Sequence, residues 1–171
     1  MLEKIYNKVV VVNEQDEVLG AEFMMDAIAK GMIRRAARVY VFNESGQLLV
    51  QQRSTKVLKP LMLDQSAAGH VDEGESYLEA AKRELFEELG LGGYELTEIA
   101  TSFRTKDFYN AIYRVIIPDN TEILFDPEEL AQVMWLDVDE VTRRMETEPD
   151  KFTPAFLEAW ALLRDKLIPS K

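Results

Sequence analysis

The stretch that decides the fold runs from residue 69 to residue 91 and reads GHVDEGESYLEAAKRELFEELGL. Ser76, followed three residues later by Glu79, is a capping-box pattern, so a helix is predicted to begin there. Gly90 is the residue type that ends helices in the left-handed conformation. Apolar residues at helical spacing form the predicted buried stripe, which is Leu78, Ala81 and Leu85. The stretch is therefore predicted to be a loop, a capped helix and a stop.

The middle of that helix carries three glutamates, Glu84, Glu87 and Glu88. Their i, i+3 and i+4 spacing places the three carboxylates on one helix face within a turn. Like charges at this spacing destabilise a helix by roughly a few tenths of a kcal/mol per pair. One interpretation is a solvated face softened by Arg83. The other is a divalent-cation site, because carboxylate oxygens suit Mg²⁺. The spacing alone leaves both open.

The same stretch resembles the sequence signature of the Nudix family. The matching positions of this Nudix box are Gly69, Glu75, Arg83-Glu84-Leu85, Glu87-Glu88 and Gly90-Leu91. The resemblance implies an α/β fold, an α/β/α sandwich around a mixed sheet, in a single domain over residues 1–171. Residues 1–33 then form an N-terminal extension of strand, turn and helix, and the box occupies residues 69–91.

The resemblance also implies a metal-dependent reaction. Mg²⁺ or Mn²⁺ would be held by Glu84, Glu87 and Glu88, which we expect to converge on a solvent-facing site beside the main-chain carbonyl of Gly69. The implied activity is hydrolysis of a diphosphate bond in a nucleoside-diphosphate-type or related small molecule. The metal would neutralise charge on the phosphoryl oxygens and lower the pKa of the attacking water. Glu84 or Glu87 is the candidate general base.

Glu75 and Arg83 are implied to form a salt bridge that orients the helix and takes no part in the chemistry. A Nudix domain that binds or regulates without turnover is an alternative. The complete set of Glu84, Glu87 and Glu88 favours the enzyme, because a binding module has no need of all three.

Two further groups of charged residues are candidates for the site. Arg53 and Lys56 follow a predicted hairpin, where related isomerases bind phosphate groups, and would anchor the distal phosphate of a substrate. Glu128 and Glu129 lie in an acidic loop after the box. Nudix enzymes often supply a further metal ligand or base from such a loop. Ordinary solvated loop cations are the competing interpretation of Arg53 and Lys56. The acidic residues that compete for the role of Glu128 and Glu129 are Asp119, Glu122 and Asp126.

The layout before the box also resembles type 1 isopentenyl-diphosphate isomerase. The segments concerned are Asn13-Glu14-Gln15-Asp16-Glu17-Val18, Arg34-Arg35-Ala36, Gln51-Gln52-Arg53-Ser54 and Pro60 to His70. In that enzyme a catalytic cysteine precedes the glycine–histidine pair, where this chain has Ala68, and a metal-binding histidine stands where this chain has Arg34. The chain contains no cysteine, so isomerase activity is the disfavoured alternative. His70, the only histidine, lacks the partner histidines of the isomerase and is interpreted as a loop residue without a catalytic role.

The overall composition narrows the class of partner. A net charge of −11 in 171 residues disfavours nucleic acid and anionic membranes, because both require basic surface. Met1-Leu2-Glu3-Lys4 show neither the basic region nor the apolar core of a signal peptide, and no apolar run approaches the ~20 residues that span a bilayer. We expect a cytoplasmic protein that acts on a small molecule. A homodimer that uses the N-terminal extension is compatible with these features.

Hydrophobic periodicity predicts the remaining elements. Strands are expected at residues 9–12, 18–19, 38–42, 47–52, 94–105, 108–117 and 133–136. Helices are expected at residues 22–30, 137–146 and 153–167. Because strands and helices alternate without a linker, the pattern indicates one mixed domain.

Overall fold

The computed structural model describes residues 7–169. The expectations for Met1 to Lys4, and for the first part of the N-terminal extension, lie outside the described residues. The strands within 7–169 are β1 Lys8–Val12, β2 Val18–Phe23, β3 Ile33–Asn43, β4 Leu48–Arg53, β5 Leu63–Asp64, β6 Ala67–His70, β7 Thr97–Arg104, β8 Phe108–Ile117 and β9 Leu130–Leu136. The helices there are α1 Met24–Ala29, α2 Tyr77–Leu89, α3 Val138–Thr147 and α4 Pro154–Leu167, with a 3₁₀ turn at Pro149–Lys151.

Strand β3 is the centre of a mixed sheet. It pairs in parallel with β8, from Arg34 opposite Phe108 to Asn43 opposite Ile117. On its other edge it pairs antiparallel with β6 and, near its start, with β1. The strand is longer than the predicted 38–42 because these long-range partners satisfy its backbone hydrogen bonds from Ile33 onward.

Strands β3 and β4 separate soon after their turn. The two strands share the single pair Phe42–Leu48. Beyond it β3 pairs with β6, whereas β4 pairs with β5 and β9. The sheet therefore opens between β3 and β4, and this opening gives the molecule room for a cleft.

The two faces of the sheet pack into separate cores. Ala37, Val39 and Val41 of β3 pack with α2, whereas Tyr40 and Phe42 of the same strand pack with α3 and α4. Period-two alternation of side chains explains this division, and each large apolar side chain contributes about 1.5–3 kcal/mol on burial. The predicted α/β/α sandwich is confirmed. The last helix, predicted at residues 153–167, buries Phe156, Trp160 and Leu163 in the second of these cores.

The N-terminal helix is shorter than predicted. It covers Met24–Ala29, whereas residues 22–30 were expected. Glu22 and Phe23 belong to β2, because they pair with Val9 and Lys8 of β1 and this hairpin competes for their backbone groups. Within the described residues, no helix is long and apolar enough to cross a membrane.

Candidate active site

Helix α2 is fixed at both ends as predicted. Ser76 Oγ accepts a hydrogen bond from the backbone N–H of Glu79 (3.2 Å), and the Glu79 carboxylate accepts one from the backbone N–H of Ser76 (2.8 Å). Gly90 follows the helix with φ of 70°, in the left-handed region. The cap and the stop set the position of the glutamates over the sheet.

The buried face of α2 differs from the prediction at one residue. Ala81 and Leu85 are buried as predicted, but Leu78 is 40% exposed. In the first turn Tyr77 packs against the core instead. The buried residues of α2 are Ala80, Ala81, Glu84, Leu85, Glu88 and Leu89. Two carboxylates therefore face the interior, which a purely solvated acidic face does not explain.

The three glutamates differ in exposure. Glu84 and Glu88 are each 3% exposed, whereas the side chain of Glu87 is 40% exposed. The expectation that all three face solvent is therefore wrong for Glu84 and Glu88. Glu84 approaches Gly69 so closely that a Cβ on Gly69 would lie 1.9 Å from Glu84 Oε1. Glu88 Oε2 accepts a hydrogen bond from Gln51 Nε2 at 3.0 Å.

Arg83 connects the start of the box to the glutamates. Its Nε donates to Glu75 Oε1 at 2.7 Å and its Nη2 to Glu75 Oε2 at 3.0 Å, so the expected ion pair is present. Its Nη1 lies 2.6 Å from Glu84 Oε1 and 3.3 Å from Glu87 Oε2, and its Nη2 donates to the carbonyl of His70 at 3.0 Å. Burial acts to lower the pKa of Arg83, but the hydrogen bond with Glu75 and the charge of Glu84 raise it overall. With Asp72 Oδ2 3.8 Å from Nη2, one guanidinium thus contacts four carboxylates and neutralises only part of their charge.

Glu84 and Glu87 meet at Nη1 of Arg83, and the convergence of all three glutamates on a metal ion stays a prediction. Within the residues that the structure describes, no three His, Asp or Glu side chains form a group that could hold a metal ion. The donor types still suit a hard cation, because the carboxylates and the carbonyl of Gly69 supply only oxygen. The absent Cβ of Gly69 also leaves the space that Glu84 occupies.

Glu84 and Glu88 open onto a cleft of about 490 Å³ that is also lined by Gly69. Other walls come from β3, from the loop after β4, and from the apolar side chains of α1, among them Met24 and Ile28. A cleft with much apolar surface and a few converging polar groups is the usual form of a small-molecule site.

Arg53 and Lys56 line this cleft, as a role in phosphate binding requires. Each already has an acidic neighbour. Arg53 Nη1 lies 3.5 Å from Asp64 Oδ2, and the ammonium group of Lys56 pairs with the carboxylate of Glu128. Both cations are therefore partly neutralised by the protein itself.

The two candidates of the acidic loop are placed differently. Glu129 lines the cleft, whereas Glu128 and the box residue Glu87 are absent from its described lining. The main-chain carbonyl of Glu128 accepts a hydrogen bond from Ser54 Oγ at 2.6 Å, and that of Glu129 accepts one from the Ser54 N–H at 2.8 Å. The loop is thereby fixed to the end of β4.

Sequence reasoning misses Arg38, which lines the cleft together with Arg34 and Phe108. Arg34 and Arg38 are four residues apart on β3, so period-two alternation places them on one face, and this is the signal that could have identified them. His70 and Ala68 also line the cleft. His70 Nε2 lies 3.4 Å from Arg34 Nη1, and the absence of a catalytic role for His70 stays a prediction.

Comparison with known proteins relates most of this chain to one domain family. The profile of the NUDIX domain matches residues 32–156. The protein named uncharacterized Nudix hydrolase YfcD in Salmonella typhi is 34% identical over 155 residues, which cover 89% of this chain and 82% of that protein. A protein of Pectobacterium atrosepticum named isopentenyl-diphosphate Delta-isomerase is 32% identical over 167 residues, which cover 92% of each.

Solved structures agree on the fold. The crystal structure of DR0079 from Deinococcus radiodurans superposes with a TM-score of 0.78 and is 27% identical in sequence. The match covers 92% of this chain and 98% of DR0079.

Proposed function

Because the chain belongs to the Nudix hydrolase family, we propose that it hydrolyses a diphosphate bond in a small molecule of nucleoside-diphosphate or related type. The reaction takes place in the cleft beside α2. Glu84, Glu87 and Glu88, with the carbonyl of Gly69, are the proposed ligands of Mg²⁺ or Mn²⁺.

One observation carries this proposal: Glu84 and Glu88 are 3% exposed and yet line the same cleft. A carboxylate removed from water costs several kcal/mol, as an order of magnitude, unless hydrogen bonds or a cation offset it. A cation bound beside Glu84 and Glu88 would offset part of this cost. Acidic side chains that served only solubility would remain in solvent.

A divalent cation bound there would neutralise charge on the phosphoryl oxygens and make a water more acidic. The residues of the chain would hold the cation and the substrate in position. Arg83 contacts Oε1 of Glu84 and Oε2 of Glu87, and a carboxylate can accept from an arginine and bind a cation at the same time. Arg83 would then remain paired with Glu75, so that the helix keeps its orientation.

The proton of the attacking water is proposed to pass to Glu84 or Glu87. Glu84 is the better placed of the two, because it lines the cleft and a general base must reach the water directly. Arg53 and Lys56 are proposed to contact substrate phosphate. Glu129 is proposed as a further ligand or base.

The test is hydrolysis by Glu88→Gln, which preserves shape and removes charge. Nucleotide sugars, dinucleotides, nucleoside di- and triphosphates and prenyl diphosphates would be screened with Mg²⁺ and Mn²⁺. We expect the variant to lose at least the roughly 10–100-fold that follows loss of an outer-shell metal contact. Its free energy of unfolding should stay within about 1 kcal/mol of the parent or rise, because a buried charge is removed.

Glu158→Gln is the matched control, since Glu158 is an exposed glutamate on α4 and the change in charge is the same. It should hydrolyse the substrate at the parent rate. If Glu88→Gln also turned over at the parent rate, Glu88 would not belong to the catalytic machinery.

Sequence identity to an isopentenyl-diphosphate isomerase makes double-bond isomerisation the second candidate. Ala68 and Arg34 line the cleft at the positions where that enzyme has its cysteine and a histidine ligand. Alanine has no proton to donate, so the hydrolase is the better supported function.

Two further proposals concern the partner and the oligomeric state of the protein. The net charge of −11 supports a small-molecule partner over nucleic acid or an anionic membrane. Val18 and Leu19 on β2 are 57% and 67% exposed, which suits a homodimer through the N-terminal extension. Sedimentation of a monomer at micromolar concentration would exclude that dimer.

A further inference from the structure

We propose that Arg34 and Arg38 form a site, independent of any metal, for a terminal phosphate group of the substrate. This rests on the proposed function, because it concerns the substrate of the same cleft. It adds a substrate class: compounds that end in a free phosphate, such as nucleoside diphosphates and prenyl diphosphates. Diphosphates capped at both ends, such as nucleotide sugars and dinucleotides, fit the site less well.

Arg34 and Arg38 lie on one face of β3, with Ala36 between them, and all three line the cleft. Arg34 is 6% exposed and Arg38 is 7% exposed. Each side chain is thus more than nine-tenths buried and still reaches the cleft. The methyl group of Ala36 is too small to fill the space between two arginine side chains.

The two arginines differ from the other cations of the cleft in their acidic partners. In the described part of the chain, no Asp or Glu forms an ion pair with Arg34 or Arg38. The other arginines that line the cleft, Arg53 and Arg83, differ because each has an acidic partner. Burial lowers the pKa of Arg34 more than the charge of Asp107 raises it. Arg34 therefore has the charge of Asp107 nearby but no ion-pair partner in the described part of the chain.

Hydrogen bonds and a shared aromatic ring hold the guanidinium groups of Arg34 and Arg38 in place. Arg38 Nε donates to Asn110 Oδ1 at 2.7 Å, and Arg34 Nε donates to a main-chain carbonyl at 3.2 Å. The guanidinium carbons of Arg34 and Arg38 lie 4.4 and 5.9 Å from the centre of the same Phe108 ring. Apart from the 3.4 Å approach of Arg34 Nη1 to His70, the terminal nitrogens have no hydrogen-bond acceptor among residues 7–169. These nitrogens are therefore positioned to donate hydrogen bonds to a ligand in the cleft.

The charge of the pair selects the ligand. Two buried guanidinium groups carry two positive charges, which repel each other and are costly to leave uncompensated. A terminal phosphate carries about −1.5 to −2 at pH 7 and three acceptor oxygens. A phosphate esterified on both sides carries one charge and fewer free oxygens. The planar fork of arginine also matches phosphate better than an ammonium group does.

The test is calorimetric titration of the protein with inorganic pyrophosphate in EDTA, so that no metal takes part. The parent should bind pyrophosphate. Arg34→Met and Arg38→Met should each bind it about tenfold or more weakly, because a charge-assisted hydrogen bond is lost. Arg38→Lys should bind with intermediate affinity, since it keeps the charge and loses the fork.

Arg143→Met is the matched control. Arg143 lies on α3 with its side chain 61% exposed, and the change in net charge is the same. Its affinity for pyrophosphate should stay within about twofold of the parent, as for an exposed charge screened by salt. If Arg38→Met did not fold, Arg34→Met and Arg38→Lys would decide the question. Parent affinity in both of those variants, or no binding of pyrophosphate to the parent, would overturn the site.

A kinetic comparison separates this proposal from the proposed function. The value of kcat/KM would be measured for a nucleoside diphosphate and for the same compound capped by a sugar. Arg38→Met should lower the first about tenfold or more and the second much less. The parent could hydrolyse a diphosphate in a reaction that needs Glu88, while Arg34→Met and Arg38→Met bind pyrophosphate as tightly as the parent. That result would contradict the phosphate site and leave the hydrolase assignment standing. If pyrophosphate binding needed both arginines and no diphosphate were hydrolysed, only the hydrolase assignment would fail.

Discussion

Gly69 is important for the space that its missing side chain leaves to Glu84. A Cβ at this position would lie 1.9 Å from Glu84 Oε1, so Gly69→Ala must push the carboxylate away. Because that carboxylate ends a flexible side chain, we expect a loss of stability of about 1–2 kcal/mol. Hydrolysis should fall about tenfold or more, since a displacement of 1 Å in an active site can cost that much.

The controls for Gly69→Ala come from the chain itself. Gly92→Ala places a Cβ 3.2 Å from a ring atom of Phe86, outside the cleft, and should leave kcat/KM unchanged. In a Glu84→Ala background the clash is absent, so Gly69→Ala should then cost little stability. Equal costs in the two backgrounds would show that the contact with Glu84 is not the cause.

Glu75 makes a pH-dependent contribution to stability. Burial acts to raise the pKa of Glu75, but the hydrogen bond from Arg83 lowers it overall below its usual 4.5. A carboxyl group whose folded pKa is lowered stabilises the protein above the unfolded pKa, and this stabilisation is lost as the pH falls through the folded value. Glu75→Gln should therefore lower Tm by a constant amount between pH 6 and 8. The difference should shrink below pH 4.5, and a difference that persisted there would contradict the assignment.

At the scale of elements, the capping box holds the first turn of α2. Ser76→Ala removes the acceptor for the Glu79 N–H and should lower the free energy of unfolding by about 1 kcal/mol. Ser76→Asp keeps an acceptor and should stay within about 0.5 kcal/mol of the parent. Urea denaturation would measure both. Equal stability of Ser76→Ala and the parent would mean that packing alone fixes α2.

The sequence predicts the ends of α2 correctly because these depend on neighbours in the chain, as at Gly90. It does not predict the burial of Glu84 and Glu88. That burial arises from Gly69 on β6 and Gln51 on β4, which only the tertiary fold brings to the helix. A helix pattern places three carboxylates on one face, but it cannot say what faces them.

The same limit applies to β2 and β3. Periodicity places a strand at residues 38–42, but the pairing with β1, β6 and β8 that extends it to Ile33–Asn43 depends on distant residues. Phe23 fits a helix pattern, yet pairing with Lys8 holds it in β2. The position of Arg38 in the cleft is not predicted either, because Asn110 and Phe108, which contact it, lie on the distant strand β8.

At the scale of the whole molecule, the cleft decides between two reactions of related proteins. Isomerisation needs a proton donated to one carbon and removed from another, and Ala68 cannot donate one. Incubation with isopentenyl diphosphate should therefore give no dimethylallyl diphosphate above the uncatalysed background. Ala68→Cys should not restore the reaction, because Arg34 still occupies the position of a histidine ligand. Isomer formation by the parent at an enzymatic rate would refute the hydrolase assignment.

The parallel pairing of β3 with β8 has a consequence for synthesis on the ribosome. β3 ends at Asn43, but its partner is complete only at Ile117. At about 5–20 residues per second, β3 waits several seconds for that partner. Parallel pairs of such sequence separation also form slowly. During this interval one edge of an apolar strand stays open on the nascent chain, so yield should depend on what shields that edge before translation is finished.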